Sequence, residues 1–349
     1  MARVFVAMSG GVDSSVAAGL LLKAGHDVTG VTMRLLTAEA AGDECCSAEG
    51  ARSAKRVCDV LGIPHYTLEF TEVFARDVVG PYLDEYAAGR TPNPCIACND
   101  RVKFGELMRR ARLQGADFLA TGHYARIVEG ASGAPRLARA TDGTKDQSYF
   151  LYRMTPTQMR HTLFPLGDMT KVEVREHARA MGLPSAERPE SQDGCFVPAG
   201  GVRAFVRQQR PGAFGCGNVV DASGVVVGRH EGVPGLTLGQ RRGLGLQEAG
   251  LYVGALDVDT STVTVVPRAR LLKGRVFAGD AVWMGELATM AVAVRTRYRG
   301  SEVRGIAHRH ETEITVDLDG LVEAPAPGQA LVCYQGDLVV GGGAIEGAA

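Results

Sequence analysis

The sequence predicts an α/β fold with a doubly wound parallel sheet, followed by a small mostly-β central module and a C-terminal β-barrel. In the first 125 residues, short apolar runs alternate with stretches of helical periodicity. Strands separated by helices in this way are typical of βαβ units and a parallel sheet. From about residue 218 onward, short β-prone runs separated by Gly, Asp and Pro dominate, which indicates an all-β region.

The elements of the α/β part follow from hydrophobic periodicity and from glycine stops. Gly25 ends the first predicted helix and Gly62 ends the second. We predict strands at 4–8, 28–35, 65–70 and 118–121, helices at 13–24, 48–61, 73–88, 100–113 and 171–181, and a short hairpin and loop at 130–150.

The β-rich part begins after a polar loop at 187–194. Its predicted strands lie at 219–220, 225–227, 262–266, 291–294, 313–318 and 330–334. A chain of 349 residues is long enough for two or three domains. We expect a first domain over 1–200, a central module over 201–262 and a barrel over 263–349.

The composition is that of a folded protein, with 45% hydrophobic and 22% charged residues. No apolar run approaches the roughly 20 residues that a membrane span needs, and the N-terminus lacks the features of a secretory signal. We therefore expect a cytoplasmic protein with no membrane partner. In a reducing compartment its eight cysteines are more often thiols, catalytic groups or metal ligands than structural disulfides.

The charge is unevenly distributed along the chain. The formal net charge is −1, but the stretch from Arg268 to Arg309 holds nine Lys/Arg and three Asp/Glu, a local net of +6. Such an excess can meet a phosphate backbone. Charge alone equally allows a solvated barrel face.

A glycine- and serine-rich loop separates the first predicted strand from the first helix: Ser9-Gly10-Gly11-Val12-Asp13-Ser14-Ser15. Glycines let backbone N–H groups approach an anion, and the helix N-terminus adds unpaired donors and partial positive charge. Asp13 either caps the helix or helps to hold Mg²⁺. The loop lacks the endings of the Walker and dinucleotide motifs and resembles the loop of ATP pyrophosphatases, which cleave ATP to AMP and pyrophosphate.

Two cysteines lie in predicted loops. Cys98 belongs to a Pro-rich run before a predicted helix, and Cys195 follows 97 residues later. A cysteine at a helix start has a lowered thiol pKa and is more reactive, although for each cysteine alone an inert small residue is the simpler interpretation. Cys95 and Cys98 also form half of a zinc motif, but no second pair is evident. The remaining cysteines are interpreted as structural: Cys45, Cys46, Cys58, Cys216 and Cys333.

Several short sequence motifs, taken in order along the chain, make it resemble the bacterial tRNA-specific 2-thiouridylases, the MnmA family, over essentially its full length. The strings that carry the resemblance are 8–15, Thr91-Pro92-Asn93-Pro94, Cys98-Asn99 with Lys103-Phe104, Thr121-Gly122-His123-Tyr124-Ala125, 145–151, 191–196, 236–241, Arg297-Tyr298-Arg299, Pro327-Gly328-Gln329 and 341–343. The phosphate loop alone would give only the superfamily.

The resemblance implies a tRNA-uridine 2-sulfurtransferase. ATP, with Mg²⁺, adenylates the C2 oxygen of wobble uridine 34, and a persulfide sulfur then replaces that oxygen. Cys195 carries the persulfide, which a cysteine desulfurase or a sulfur-relay protein delivers, and Cys98 is the partner nucleophile. A Cys98–Cys195 disulfide closes the cycle, so at least one of the two loops is expected to move.

The resemblance also implies binding residues, with a catalytic domain over 1–200 and a tRNA-binding central module. ATP contacts are expected at Ala7, Met8, Ser9, Gly10, Gly11, Val12, Asp13, Ser14, Met33 and Gly122. Contacts to the anticodon stem-loop of tRNA are expected at Asn93, Pro94, Cys95, His123, Lys145, Asp146, Gln147, Arg297, Tyr298 and Gln329. The basic stretch 268–309 would grip the anticodon stem, while the target base is splayed out of its loop.

One residue departs from the family pattern, because many members have Asp where this chain has Cys95. Three thiols, Cys95, Cys98 and Cys195, would then be able to ligate an iron–sulfur cluster with one open iron. Two further alternatives stay open from sequence: another synthetase with the same phosphate loop, which needs no loop thiols, and a non-catalytic RNA-binding β protein with a degenerate nucleotide domain.

Overall fold

The computed structural model describes residues 1–36, 48–130, 132–189, 195–198, 200–244 and 250–349. Cys45, Cys46 and residues 190–194 of the predicted polar loop lie outside them. The chain forms two compact units. The first comprises Met1–Val78, Cys95–Phe196 and Asp337–Val339, and the second comprises Val79–Pro94, Val197–Gly336 and Val340–Ala349.

The helices and strands are as follows. The strands are β1 (Arg3–Ala7), β2 (Asp27–Arg34), β3 (His65–Glu69), β4 (Phe118–Ala120), β5 (Ala125–Glu129), β6 (Pro135–Arg139), β7 (Thr162–Leu163), β8 (Gly217–Val220), β9 (Val226–His230), β10 (Leu251–Asp257), β11 (Thr262–Pro267), β12 (Leu272–Trp283), β13 (Thr289–Arg295), β14 (Val303–His310), β15 (Glu313–Glu323), β16 (Ala330–Gln335) and β17 (Leu338–Ala348). The α-helices are α1 (Val12–Lys23), α2 (Ala48–Leu61), α3 (Thr71–Phe74), α4 (Gly80–Ala87), α5 (Pro94–Ala97), α6 (Met108–Leu113), α7 (Pro156–Arg160), α8 (Lys171–Ala180) and α9 (Gly201–Gln209). Two π-helical segments span Ala75–Val79 and Cys98–Leu107.

The first unit is built on the predicted parallel sheet, whose strand order is β3-β2-β1-β4-β7. After β1, the chain adds β2 and then β3 on one side of the sheet. It then adds β4 and β7 on the other side of β1, so the direction of strand addition reverses between β1 and β4. Such a reversal opens a crevice at the carboxyl ends of the strands. Helices α1 and α8 pack on each other beside the sheet, and their core includes Val16, Val174 and Ala178, each 0% exposed.

The second unit contains the predicted all-β region, so this prediction is confirmed. Strands β8–β11 form a four-stranded sheet in the order β10-β11-β8-β9, packed on a core that includes Val219, Val253 and Val263. Strands β12–β17 form a barrel, which closes because β12 pairs with both β15 and β17. The barrel interior includes Val276, Ile314 and other buried apolar residues.

Some boundaries differ from the sequence prediction. The hairpin is formed by β5 and β6, so it begins before the predicted 130–150 segment. The helix predicted at 100–113 begins earlier: α5, a π-helical segment and α6 follow one another from Pro94 to Leu113. Helix α9 was not predicted. Within the described ranges, no helix is both long and apolar enough to cross a membrane.

Candidate active site

The phosphate loop lies directly between β1 and α1. Gly11 is the N-cap residue of α1, and no side chain caps the helix there. The first amides of α1 therefore have no capping acceptor. The Ser14 and Ser15 hydroxyls both donate to the Gly11 carbonyl, at 3.2 and 2.8 Å, and the Ser9 amide donates to Ser14 Oγ at 3.2 Å. The serines therefore stabilise the loop shape that an anion requires.

Gly10 adopts the left-handed conformation, with φ of +78°. A Cβ built there would lie 2.5 Å from the Gly50 carbonyl oxygen. The Gly10 carbonyl accepts hydrogen bonds from Ser53 Oγ at 3.0 Å and from Arg188 Nη1 at 3.2 Å. Glycine is required at this position by both the backbone conformation and the close approach of α2.

Gly122 brings the loop after β4 against the same helix start. A Cβ on Gly122 would lie 2.6 Å from Ser14 N and 2.7 Å from the Asp13 carbonyl carbon. Because β1 and β4 are the neighbours at which the sheet order reverses, these two loops line the crevice expected to bind a ligand in such folds. The structure thus brings Gly122 and the loop from Ser9 to Ser15 together.

Asp13 is held by two residues for which the sequence predicted no role at this site. Lys171 Nζ donates to both Asp13 carboxylate oxygens, at 2.6 and 2.8 Å, and the Tyr124 hydroxyl donates to Oδ1 at 2.8 Å. The expectation that Asp13 caps α1 is wrong: Gly11 is the cap residue, and Asp13 lies in the first turn.

The remaining predicted nucleotide residues lie beside this loop. Ala7 ends β1, and the Met8 amide donates to the Val31 carbonyl of β2 at 2.8 Å. Val12 is buried at the start of α1. Met33 is half-buried near the carboxyl end of β2, at the same edge of the parallel sheet as the phosphate loop.

The fit of Mg²⁺ to this site depends on Asp13. Both of its oxygens accept hydrogen bonds from the Lys171 ammonium group, so the carboxylate is charge-compensated in this arrangement. Among the residues that the structure describes, no group of three or more His, Cys, Asp or Glu side chains is arranged to hold a metal ion. The described part of the chain therefore offers no preformed set of three such ligands, whereas Mg²⁺ is more usually held by one or two carboxylates together with substrate phosphates.

Cys95 and Cys98 lie in the first two turns of the helical run that begins at Pro94. Cys95 is the second residue of α5, and Cys98 begins the π-helical segment. The sequence pattern predicted a loop at Cys98, whereas the helix has already begun four residues earlier. The next residue, Asn99, is buried, donates to the Phe150 carbonyl at 3.2 Å and accepts from Lys103 Nζ at 3.0 Å, which fixes the helix next to Cys98.

Cys195 is anchored through its neighbour Phe196. The Phe196 ring packs edge-to-face on Phe74, with ring centroids 5.5 Å apart. Phe74 belongs to α3, which contacts the π-helical segment that begins with Cys98. Cys98 and Cys195 therefore lie on segments that share α3 as a neighbour, and both are half-buried thiols.

The three-thiol arrangement expected for an iron–sulfur cluster is not formed. Cys95, Cys98 and Cys195 all lie within the described ranges, and they are not placed as a metal-binding group there. Cys95 and Cys98 lie in consecutive turns of one helical run, whereas Cys195 lies on a separate segment of the chain.

His123 lies between two aromatic rings. Its ring centroid is 6.0 Å from that of Phe104 and 5.9 Å from that of Phe164, and Nδ1 lies 2.6 Å from Thr121 Oγ1. Burial, with a smaller contribution from the Lys103 ammonium group, holds the pKa of His123 well below its ordinary value. A neutral imidazole next to the Gly122 loop can stack and form hydrogen bonds but carries no charge.

The predicted tRNA residues Lys145, Asp146 and Gln147 differ in exposure. Asp146 is 2% exposed, and its carboxylate accepts from the Ala140 and Ser148 amides, both at 3.1 Å. This side chain stabilises the turn from within. Lys145 and Gln147 are half-buried, and Gln147 Oε1 accepts from the Tyr124 amide at 3.0 Å, which connects the turn to the Gly122 loop.

In the second unit, Gln329 is adjacent to the Pro-rich segment. Gln329 Nε2 donates to the Thr91 carbonyl at 2.8 Å, and the Thr91 amide donates to the Pro327 carbonyl at 2.7 Å. The predicted contacts Asn93 and Pro94 follow Thr91 directly. The strings around Thr91 and Gln329 are therefore parts of one local structure.

The basic stretch 268–309 is partly neutralised by acidic residues outside it. Glu323 accepts from Arg268 at 2.8 Å through both oxygens, and Arg275 pairs with Asp317. Arg297 donates to the Glu323 backbone carbonyl and is exposed, whereas Tyr298 is half-buried. The local excess is therefore smaller than the sequence count of +6.

The other described cysteines divide by environment. Cys58 and Cys333 are each 0% exposed, and burial raises their pKa to about 11 and about 12. They are core residues, as expected. Cys216 is exposed, unlike these two core cysteines.

Comparisons with known proteins cover the whole chain. Three family models match in succession: the tRNA methyl transferase HUP domain over 2–199, the tRNA methyl transferase PRC-barrel domain over 203–267 and the aminomethyltransferase β-barrel domain over 274–345. The tRNA-specific 2-thiouridylase MnmA of Chloroflexus aurantiacus is 46% identical over 98% of both chains, and that of Moorella thermoacetica is 46% identical over 99% of both. A solved 4-thiouridine synthetase–RNA complex with ATP is 20% identical over 61% of this chain and 51% of that one, with a TM-score of 0.37.

Proposed function

Because the chain belongs to the family of bacterial tRNA-specific 2-thiouridylases, we propose that it is a tRNA thiolation enzyme that uses ATP to replace the C2 oxygen of wobble uridine 34 by sulfur. The observation that carries the proposal is the position of the phosphate loop. The loop lies where the strand order reverses, and Gly122 packs closely against the start of α1 beside it. We also propose the division at 200 and 262 into catalytic domain, central tRNA-binding module and barrel.

The first step is activation of the base. The amides at the start of α1 bind the phosphates of ATP, and the fixed loop from Ser9 to Ser15 orients them. The uridine C2 oxygen attacks the α-phosphorus, the bond to the β-phosphate breaks, and pyrophosphate leaves. The base then carries AMP on its C2 oxygen, which is a far better leaving group than the original oxygen. Mg²⁺ would reach the site with the nucleotide phosphates and supply charge neutralisation.

The second step transfers sulfur. The terminal sulfur of a Cys195 persulfide attacks C2, and AMP departs with the oxygen. The Cys98 thiolate then attacks the Cys195 sulfur, so that the sulfur–sulfur bond to the base breaks and a Cys98–Cys195 disulfide forms. A dithiol reductant restores both thiols. The shared neighbour α3 supports this pairing, because it brings the two segments to one part of the first unit.

The tRNA contacts form the third part of the proposal. His123, Lys145 and Gln147 in the first unit, and Asn93, Arg297 and Gln329 in the second, would contact the anticodon stem-loop. Neutral His123 suits stacking or hydrogen bonding to a splayed base. Asp146 would act by shaping the turn that presents Lys145 and Gln147, since its own carboxylate is buried. A cysteine desulfurase or sulfur-relay protein would supply the persulfide.

The proposal is tested by thiolation in vitro. Purified protein is incubated with ATP, a wobble-uridine tRNA and either sulfide or a cysteine desulfurase with cysteine. Pyrophosphate release and the oxygen-to-sulfur mass change of the tRNA are measured separately. We expect both products with the wild-type protein.

Cysteine variants separate the two steps. Cys98→Ser and Cys195→Ser should abolish persulfide-dependent thiolation and retain tRNA-dependent pyrophosphate release. Cys95→Ser tests whether this thiol contributes, and Cys216→Ser, at an exposed position, is the matched control. Full thiolation by both Cys98→Ser and Cys195→Ser with the cysteine desulfurase as sulfur source would exclude the persulfide mechanism, whereas free sulfide can displace AMP without a protein thiol.

A further inference from the structure

We propose that Lys171 is a phosphate-binding residue of the ATP site, held ready by Asp13 and Tyr124 until the nucleotide arrives. The inference rests on the proposed function only in that it takes ATP as the ligand of the phosphate loop. It adds to that loop a cation from a different helix, 158 residues away along the chain.

The position of Lys171 carries the proposal. Its ammonium group lies 2.6 and 2.8 Å from the two oxygens of Asp13, and Asp13 is in the first turn of the helix whose amides form the anion cradle. The ammonium group also lies 5.6 Å from the centre of the Tyr124 ring. The Lys171 side chain is 12% exposed and that of Asp13 is 33% exposed, so the pair opens to solvent on the Asp13 side.

The backbone of Lys171 is fixed independently of this pair. Thr170 and Glu173 form a capping box at the start of α8, and the Lys171 amide donates to Asp142 Oδ2 at 3.1 Å. Val174 and Ala178 pack α8 into the same core as α1. The lysine side chain therefore extends from a well-positioned backbone at the start of α8.

The charges explain why a cation is needed there. A triphosphate carries several negative charges, and Asp13 would repel it if its own charge were not compensated. An ammonium group has three donors on a flexible stem. One donor can pass to a phosphate oxygen while another keeps its contact with Asp13, so the same lysine neutralises the aspartate and binds the ligand. Arg188, on the Gly10 carbonyl, adds a second cation beside the loop.

Equilibrium binding by calorimetry, without tRNA, tests the inference separately from catalysis. The full-length protein is titrated with ATP, inorganic pyrophosphate and adenosine. Lys171→Gln keeps a donor for Asp13 but removes the charge, and Lys171→Met removes both. We expect both variants to lose about 10- to 100-fold in affinity for ATP and pyrophosphate, as for a lost hydrogen bond to a charged group, with adenosine affinity unchanged.

Two comparisons make the test decisive. Lys55→Met breaks a similar lysine–aspartate pair on the exposed surface of α2 and should leave ATP affinity as in the wild type. Lys171→Gln with ATP affinity within twofold of the wild type would overturn the inference, as would an equal loss for adenosine, which would indicate a purely structural role. Failure of the proposed function would give a different result from failure of this inference. The wild type would then bind ATP tightly but would not thiolate tRNA.

Discussion

Replacing Gly122 by alanine should impair ATP binding and adenylation, because the added methyl group has no space. Its Cβ would lie 2.6 Å from Ser14 N and 2.7 Å from the Asp13 carbonyl carbon, whereas unstrained contacts begin near roughly 3.5 Å. Both opposing atoms are backbone atoms in the first turn of α1 and cannot rotate away. The helix start and the Gly122 loop must therefore separate by roughly 0.8–0.9 Å, the difference between those distances.

The magnitude follows from this displacement. Overpacking of this kind costs about 1–3 kcal/mol of stability, and a shift of about 1 Å in a positioned group can lower a rate about 100-fold. Urea unfolding measures the first quantity, and ATP-dependent pyrophosphate release with tRNA measures the second. Gly143→Ala is the matched control, because a Cβ there would meet nothing within 4 Å. If Gly122→Ala matched the wild type in ATP affinity, rate and urea midpoint, the packing argument would be wrong.

Three further predictions concern buried groups. The lowered pKa of His123 means that the unfolded state binds the proton more readily than the folded state does. The contribution of neutral His123 to stability is therefore complete above about pH 6.5 and is lost as the pH falls. At pH 5.5 the loss should reach about 1.4 kcal/mol, seen as a difference in urea unfolding between wild type and His123→Gln, and an identical pH dependence would contradict it. Asp146→Ala should lower the free energy of unfolding by about 2–4 kcal/mol, because it leaves buried amides without their acceptor, and a change under about 0.5 kcal/mol would refute this. In the folded protein at pH 8, iodoacetamide should label Cys216 long before Cys333, whose pKa is raised to about 12, and mass spectrometry showing equal labelling would contradict the assigned burial.

The regular elements of the first unit were predictable because their signals are local. Helix α2 spans Ala48–Leu61, as predicted from its periodicity and from Gly62, which has φ of +68°. The parallel sheet and the later barrel also follow from local patterns. The start at Pro94 was missed, since a Pro-rich run suggests a loop, although proline is well tolerated at the first position of a helix.

The phosphate loop was found from sequence, whereas its partners were not. Lys171 and Tyr124 meet Asp13 only because α1, α8 and the loop after β4 lie together in the fold. No spacing rule connects residues so far apart in the chain. Burial of the Asp146 carboxylate was equally unpredictable, because its hydrogen bonds depend on the turn beside β6. The predicted binding residues themselves stay predictions.

The contact between Phe196 and Phe74 limits how far the sulfur of Cys195 can travel. Adjacent Cα atoms are about 3.8 Å apart, so while the Phe196 ring stays packed, the thiol can sweep only a small arc around that fixed point. In the proposed mechanism, a donor protein would therefore bring its sulfur to Cys195 for as long as this ring contact holds. In that mechanism, sulfur delivery would depend on the access of the donor to the segment that packs on α3.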